Sequence, residues 1–202
     1  MKEKRKYVPT MNDYKQALGR LIDAGAMTEL VAVRLGCECG MTRLEIVNAK
    51  LDCLDQINKR GLWIDVAKKV YHGHALRPGK KRKKPQMIMR VREVPINLNL
   101  YQLLRVYCEN SEVFILHRER GDASKPFHVD MIDKWYYNFS LLWSSHKSRH
   151  FFKSQVWAWM MKNHRPDDAV LKEMMGHAKD THESYGVYPW DYKLEIVDGV
   201  FQ

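Results

Sequence analysis

The sequence predicts an α+β domain that is mainly helical and carries one small antiparallel β-hairpin. Apolar residues recur at helical spacing along most of the chain, as in Phe152, Val156 and Met160. Two segments, 61–66 and 87–96, instead have the composition of strands, and Pro95 near the end of the second is typical of an edge strand. With 202 residues, the chain has room for one domain with a sizeable core.

Three helices are predicted before the hairpin. Thr10, followed by Asp13 three residues later, predicts the N-cap of the first helix, which Gly25 ends. Thr28 predicts the cap of the second helix. After a turn, the third helix starts near Arg43, whose positive charge opposes the helix dipole there and therefore needs a reason.

The segment between the two predicted strands is the most basic part of the chain. From 66 to 92 there are ten Lys or Arg residues and no acidic residue: Lys68, Lys69, Arg77, Lys80, Lys81, Arg82, Lys83, Lys84, Arg90 and Arg92. Such a segment repels itself, and contact with a DNA backbone would relieve the repulsion. The net charge of +10 agrees with an anionic partner, although a solvated loop would have the same composition.

Helical spacing continues after the hairpin. It predicts helices over 99–108 and 129–142, the second with an aromatic cluster that favours a core position over the stacking of bases. The tail alternates Tyr192, Leu194 and Ile196, and this pattern predicts a turn followed by a strand. The aromatic cluster comprises Trp135, Tyr136, Tyr137 and Phe139.

Cysteine spacing and hydropathy exclude several classes of protein. The four cysteines form no Cys-x-x-Cys pair and no secretory framework, which predicts free thiols and a cytoplasmic location. A zinc site of Cys37, Cys39, His72 and His74 has the wrong spacing for the usual zinc fingers, so we expect no metal and no other cofactor. No apolar run approaches the roughly 18 residues that a membrane-spanning helix needs, and we expect no membrane partner.

The polar residues between 145 and 188 suggest chemistry at a phosphate. His146 and Arg149 lie one turn apart at the start of a predicted helix over 146–161. A guanidinium there needs a planar anionic partner, either a carboxylate or a phosphate. A second helix, with Pro166 in its first turn and Gly176 past its end, leaves His177 just beyond its C-terminus.

In this order and spacing, the residues resemble the tyrosine recombinases, the family of phage integrases and Xer-type resolvases. His146-Lys-Ser-Arg149-His150 resembles the family's His-x-x-Arg-His box, and the stretch from Leu171 to His177 resembles its Leu-Gly-His box. Tyr185 then falls at the nucleophile, one residue closer to His177 than is common in the family, with Tyr188 as a second candidate.

The resemblance also implies roles for earlier residues. Arg43 matches the first catalytic arginine and Glu45 the acidic residue that supports it, although the family usually places that acid three residues after the arginine instead of two. A lysine of the hairpin acts as a proton donor in the family. Lys69 is our match, with Lys68 and Lys80 as alternatives. We expect DNA contacts from Lys68, Lys80, Lys81, Arg82, Lys83 and Lys84.

The function implied by the resemblance is site-specific DNA recombination, of the integrase type found in mobile genetic elements, without a metal ion. Expected partners are double-stranded DNA, three further copies of the chain in a tetramer on paired sites, and accessory DNA-bending proteins. A type IB topoisomerase or telomere resolvase would use a similar set of residues. An inactive DNA-binding module of the same fold is the other alternative, because the spacings at Glu45 and Tyr185 each differ by one residue.

The resemblance divides the chain into a basic arm (1–9), a catalytic domain (10–188) and a tail with a short strand (189–202). Family members usually carry a helical DNA-clamping domain before the catalytic domain. Here Tyr7-Val-Pro-Thr10 already resembles the start of the catalytic domain, so we expect this core-binding domain to be absent, either because the chain is a minimal enzyme or because it is a catalytic fragment. The terminal strand can add to its own sheet or to the sheet edge of a neighbour, and the sequence does not separate the two. The family's tails commonly exchange between protomers, so the resemblance favours the second.

Overall fold

The computed structural model describes residues 7–54, 60–70, 86–117, 124–176 and 188–202, with the backbone alone for 65–70 and 86–91. Helices dominate this part of the chain, and two antiparallel strands form its sheet, which confirms the predicted fold class. The elements are α1 (Met11–Asp23), α2 (Met27–Glu38), α3 (Arg43–Asn48), β1 (Gly61–Val70), β2 (Gln86–Pro95), α4 (Leu98–Tyr107), α5 (Asp130–Asn138), α6 (Ser145–Lys162), α7 (Asp168–Met174) and α8 (Trp190–Val200).

Capping boxes fix the starts of α1 and α3. The Thr10 side chain accepts from the backbone of Asp13, whose carboxylate accepts in return from the backbone of Thr10. Thr42 and Glu45 repeat this exchange at α3. The predicted cap at Thr28 is wrong, because α2 begins one residue earlier and the Thr28 hydroxyl instead lies 2.9 Å from that of Tyr107.

The core forms around α2, which is buried along most of its length and packs against α1 and α6. At its C-terminal end the buried carboxylate of Glu38 accepts from Tyr14 of α1, from Arg34 and from Asn97. Buried carboxylates are tolerated only when such partners replace water. Glu38 therefore fastens α1 and the N-cap of α4 to the central helix.

The hairpin pairs Gly61 with Pro95 at its base and Val70 with Gln86 at its outer end. Residues 71–85, which contain most of the basic segment, connect the strands and lie outside the described residues. Ile64 of β1 faces Arg92 of β2 in the register, close to the base of the hairpin. This end of the sheet packs against α3, α7 and α8.

The tail is the main correction to the predicted fold, because α8 is a helix and not a strand. Leu194, Val197 and Phe201, spaced three and four residues apart, face inward, and the ring of Phe201 stacks on that of Phe152 with 6.1 Å between centroids. Alternation over a few residues had resembled a strand, but burial follows the helical period. The tail packs on α6 and β2 of its own chain.

The aromatic cluster of α5 lies mostly in the core, as predicted: Trp135 and Tyr136 are buried, whereas Tyr137 is exposed. Among the described residues, no helix combines the length and the apolar character that crossing a membrane requires.

Candidate active site

The first two turns of α6 form the floor of the candidate site. Ser148 is fully buried, and its hydroxyl oxygen accepts from Trp143 Nε1 at 3.1 Å and lies 2.7 Å from the hydroxyl of Tyr136. Because these bonds fix the rotation of the helix, the neighbouring positions 146, 149 and 150 point away from the core around Ser148. The local sequence therefore sets the direction of His146 and Arg149.

Arg149 reaches across to two other elements. Its Nη1 donates to the carbonyl oxygen of Gly40, in the turn between α2 and α3, at 2.7 Å, and its Nη2 donates to the carbonyl oxygen of Met175 at the end of α7. Nη1 also lies 3.6 Å from Oε2 of Glu45. A guanidinium has five N–H groups. Arg149 donates two of them in hydrogen bonds to residues that the structure describes.

Arg92 is the residue that the sequence analysis missed. It lies on β2, is 5% exposed, and makes an ion pair of 2.9 Å with the same Oε2 of Glu45. In the sequence it was only one of the hairpin's basic residues, and nothing in its spacing separated it from Arg90. The available signal was Glu45, a carboxylate at the third position of a helix that follows a buried turn.

The cluster of Glu45, Arg92 and Arg149 carries two positive charges and one negative charge. Burial alone would raise the pKa of Glu45, but Arg92, the backbone N–H of Thr42 and Arg149 outweigh burial and lower it. Burial and the charge of Arg92 lower the pKa of Arg149 to about 10, against the opposing effect of Glu45. Arg149 therefore remains charged at neutral pH in a place that favours a further anion.

The structure does not bring Arg43 into this cluster. Its guanidinium forms an ion pair with Asp133 of α5 and lies 3.8 Å from Asp130, and its side chain is 40% exposed. Asp133 also accepts from Ser145, the first residue of α6, at 2.5 Å. Through Asp133, Arg43 thus lies close to Ser145, the residue before His146. Its described partners differ from those of Arg149.

The imidazoles of His146 and His150 form a pair one turn apart. Their Nε2 atoms are 3.2 Å apart, so one ring donates to the other. Burial and the neighbouring cations and histidine lower the pKa of His150. A neutral His150 can accept a hydrogen bond at Nε2 or donate one from it, and this choice sets which nitrogen of His146 holds a proton.

The second box ends at α7. Asp167 caps this helix, accepting from the backbone N–H of Ala169 at 2.9 Å, so Pro166 lies before the cap and not in the first turn as predicted. Gly176 has φ +61°, which confirms its predicted left-handed position. His177 and Tyr185, the predicted catalytic histidine and nucleophile, lie outside the described residues.

Tyr188, the second candidate nucleophile, is described. Its hydroxyl donates to Oδ2 of Asp167 at 2.8 Å, and this hydrogen bond is the main reason that the pKa of Tyr188 is raised to about 12. A phenol that is harder to deprotonate is a poorer nucleophile.

The predicted lysines of the hairpin are described only in part. Lys68 and Lys69 belong to β1, where their backbones pair with Ile88 and Met87. Their side chains, and all of Lys80, Lys81, Arg82, Lys83 and Lys84, lie outside the described part of the structure.

Comparison with known proteins gives one family. The sequence model described as "Phage integrase family" matches residues 7–186. Similar solved structures include the XerA recombinase, with 13% identity, a TM-score of 0.58, and coverage of 94% of this chain and 59% of that one. The integrase of mycobacterium phage Brujita has 14% identity and a TM-score of 0.57, with coverage of 87% and 53%.

A third similar structure is the Tn1549 transposon integrase in complex with transposon right end DNA, with 15% identity and a TM-score of 0.60. The match covers 94% of this chain and 60% of that one, so the chain spans just over half the length of the solved relatives. At these identities the likeness shows a shared fold. A search of curated proteins found no match.

Proposed function

This chain belongs to the phage integrase family, and from that premise we propose that it cleaves and rejoins double-stranded DNA through a 3′-phosphotyrosyl intermediate in site-specific recombination. Arg149 carries this proposal. It lies in a cluster with one excess positive charge, and described residues use only two of its N–H groups.

A phosphodiester fits this cluster in charge and geometry. Burial of two guanidinium groups beside one carboxylate leaves a charge that is costly without an anion. The N–H groups of Arg149 that remain available form part of a planar fork, which matches two oxygens of a phosphate. Stabilising the charge that grows on those oxygens during attack is worth on the order of a hundredfold or more in rate per donor.

The reaction that we propose needs a nucleophile, a base and an acid. The phenolic oxygen of Tyr185 forms a bond to phosphorus as the bond from phosphorus to the 5′ oxygen breaks. His146 accepts the phenolic proton, and Lys69 donates a proton to the departing 5′ oxygen. His177 donates a hydrogen bond to the same phosphate.

Two further groups complete the proposed site. Arg43 is the second arginine for the phosphate, which it would reach by leaving Asp133, and Glu45 supports Arg149. Exposed ion pairs such as the one between Arg43 and Asp133 contribute only about 0–1 kcal/mol, so a phosphate can compete for Arg43. No step requires a metal ion.

The hydrogen bond of Tyr188 distinguishes the two candidate nucleophiles, Tyr185 and Tyr188. Its hydroxyl is engaged with Asp167, which raises its pKa, so the proposal assigns the attack to Tyr185. Within the family resemblance, Tyr185 is also the residue that follows the Leu-Gly-His box at close to the usual distance.

Double-stranded DNA is the proposed partner, held in part by the basic connection between the strands. Among the similar structures, the Tn1549 integrase is in complex with circular intermediate DNA and a lambda integrase dimer is bound to a core site. By analogy we propose that several copies act on paired sites, as a tetramer, with accessory DNA-bending proteins where the sites require them.

Covalent trapping tests the proposal. The substrates are DNA duplexes with a randomised core and a nick close to it. Cleavage releases a short fragment with a 5′ hydroxyl, which diffuses away, so rejoining is prevented and the covalent protein–DNA adduct accumulates. Sequencing the trapped DNA identifies the target sequences. We expect an adduct with the wild type, none with Tyr185→Phe, and an undiminished adduct with the matched variant Tyr188→Phe.

The outcomes distinguish the alternatives. Without any wild-type adduct the chain is a DNA-binding module, and an adduct that survives Tyr185→Phe moves the nucleophile elsewhere. A topoisomerase would relax a supercoiled plasmid that carries a single trapped sequence, whereas a recombinase requires two such sites.

A further inference from the structure

Arg92 is a buried basic residue on β2 of the hairpin. It is among the few buried charged residues in the part of the chain that the structure describes, and it sits on β2 opposite Ile64. From there its side chain extends between the turn that precedes α3 and the last turn of α7. These are the two places from which Arg149 also takes its hydrogen-bond partners.

The guanidinium of Arg92 is fully used by protein acceptors. Nε and Nη2 donate to the carbonyl oxygen of Met174 at 3.2 and 2.8 Å, and Nη2 donates to that of Cys39 at 2.9 Å. Nη1 donates to Glu45 at 2.9 Å and lies 3.5 Å from the carbonyl oxygen of Gly40. A guanidinium has five N–H groups, so this arrangement leaves none for a phosphate.

Arg92 and Arg149 depend on the same groups. Oε2 of Glu45 and the carbonyl oxygen of Gly40 contact both guanidinium groups, and Met174 and Met175 supply adjacent carbonyl oxygens. An acceptor that Arg92 holds in place therefore has a defined position for Arg149. Displacement of one reacting group by about 1 Å can cost on the order of a hundredfold in rate.

Arg92 also packs on the turn that leads into His177. A Cβ atom at Gly176 would lie 2.6 Å from Cδ of Arg92, so only glycine leaves room for this side chain. Gly176 is the residue before His177 in the sequence. Through this contact and the bonds to Met174, Arg92 fixes the start of the segment that contains the predicted nucleophile.

We propose that Arg92 is a positioning residue. It holds Glu45 and the end of α7 so that Arg149 presents to the scissile phosphate the N–H groups that no described residue engages, and it makes no phosphate contact itself. This inference rests on the proposed function. It divides the work between the two arginines, because the partly buried Arg149 binds the DNA phosphate and the buried Arg92 sets the direction of Arg149.

Arg92→Lys is the test variant, because it keeps the charge and loses the fork that bonds several acceptors at once. Arg60→Lys is the matched control. Arg60 makes a partly buried fork of two 2.8 Å bonds with Asp198, between the start of β1 and α8, and it lies outside the proposed site.

Three measurements on the folded variants separate the possibilities. For Arg92→Lys we expect on the order of a hundredfold slower single-turnover formation of the phosphotyrosyl adduct, with an unchanged salt slope of DNA binding. A slope reduced by about one would show that Arg92 contacts a phosphate and would overturn the inference. An adduct rate equal to that of Arg60→Lys would overturn it as well.

The third measurement does not depend on cleavage. In ¹H–¹⁵N spectra without DNA, we expect the Nε–H signal of Arg149, assigned by its loss in Arg149→Lys, to shift or broaden in Arg92→Lys and not in Arg60→Lys. An unmoved signal contradicts the positioning role even if the wild type forms no adduct. If the lysine variant fails to fold, Arg92→Gln in a Gly19→Ala background repeats the test, because a Cβ at Gly19 meets no atom within 4 Å and alanine strengthens α1.

Discussion

Arg92 and Arg149 share one carboxylate oxygen, Oε2 of Glu45, at 2.9 and 3.6 Å. The three residues come from β2, α6 and α3, so the shared oxygen joins three elements at the candidate site. One carboxylate cannot neutralise two guanidinium groups. The excess positive charge is a cost to the free protein, which the phosphate of the proposed reaction would offset.

Glu45→Gln should destabilise the protein strongly at neutral pH. Removing one partner of a buried ion pair typically costs about 3–5 kcal/mol, and here the buried Arg92 and the partly buried Arg149 lose their shared counterion. Because the folded pKa of Glu45 is lowered, its stabilising effect is present above the unfolded value, about 4.3, and is lost as the pH falls through the folded value. Urea unfolding from pH 3 to pH 8 measures both effects.

The matched control is Glu195→Gln, which removes an exposed ion pair with Arg165 and should change stability by less than about 1 kcal/mol. We expect the difference between Glu45→Gln and the wild type to narrow as the pH falls below about 4. A difference that stays constant across the range would mean that Glu45 is not charged in the folded protein.

Gly40→Ala should cost more stability than Gly25→Ala. Both glycines have positive φ, +59° and +64°, so alanine adds a backbone penalty of roughly 1 kcal/mol at each. Only at Gly40 would the new Cβ meet a neighbour, Cδ1 of Phe152 at 2.7 Å, and such overpacking adds about 1–3 kcal/mol. If thermal unfolding shows the same loss of stability in the two variants, Gly40 is not closely packed against Phe152 beneath Arg149.

The sequence predicted those features that depend on local chemistry. The capping box of Thr10 and Asp13, the left-handed Gly176 and the paired strands all follow from residues close together in the chain. The box containing His146 and Arg149 was recognisable for the same reason, because both residues lie one turn apart on a single helix.

Features set by tertiary packing were not accessible in this way. Arg92 lies 47 residues from Glu45, and nothing local distinguishes it from the other basic residues of the hairpin. In the tail, the apolar residues Leu194 and Ile196 are compatible with either a helix or a strand. The packing of Phe201 against Phe152 favours the helix. The predicted role of Arg43 likewise depended on spacing, which does not specify where the side chain points.

The basic connection between the strands should dominate the salt dependence of DNA binding. If about six phosphates are neutralised, the log–log slope is near −5. Replacing Lys80, Lys81, Arg82, Lys83 and Lys84 by Gln should make the slope shallower by about 0.9 for each lost contact. Lys15→Gln with Lys162→Gln, at exposed helix positions, is the control, and fluorescence anisotropy between 50 and 300 mM salt gives the slopes. Equal slopes for the two sets would remove the connection from the DNA interface.

Arg43 offers the clearest test of the roles assigned from spacing. In the free protein it pairs with Asp133 at an exposed position, so Arg43→Gln should change stability by less than about 1 kcal/mol. If Arg43 moves to the phosphate, the same variant should lower the rate of phosphotyrosyl adduct formation on the order of a hundredfold. Thermal unfolding and single-turnover trapping measure the two effects separately.

Asp133→Asn completes this test, because it keeps an acceptor for Ser145 and removes the charge that holds Arg43. A phosphate then competes with a weaker partner, so adduct formation should be as fast as in the wild type or faster. Arg165→Gln, which breaks the exposed pair with Glu195, controls for the loss of a surface arginine. If Arg43→Gln forms the adduct at the rate of Arg165→Gln, Arg43 only fastens α3 to α5, and the phosphate depends on Arg149 and on the groups that Arg92 holds in place.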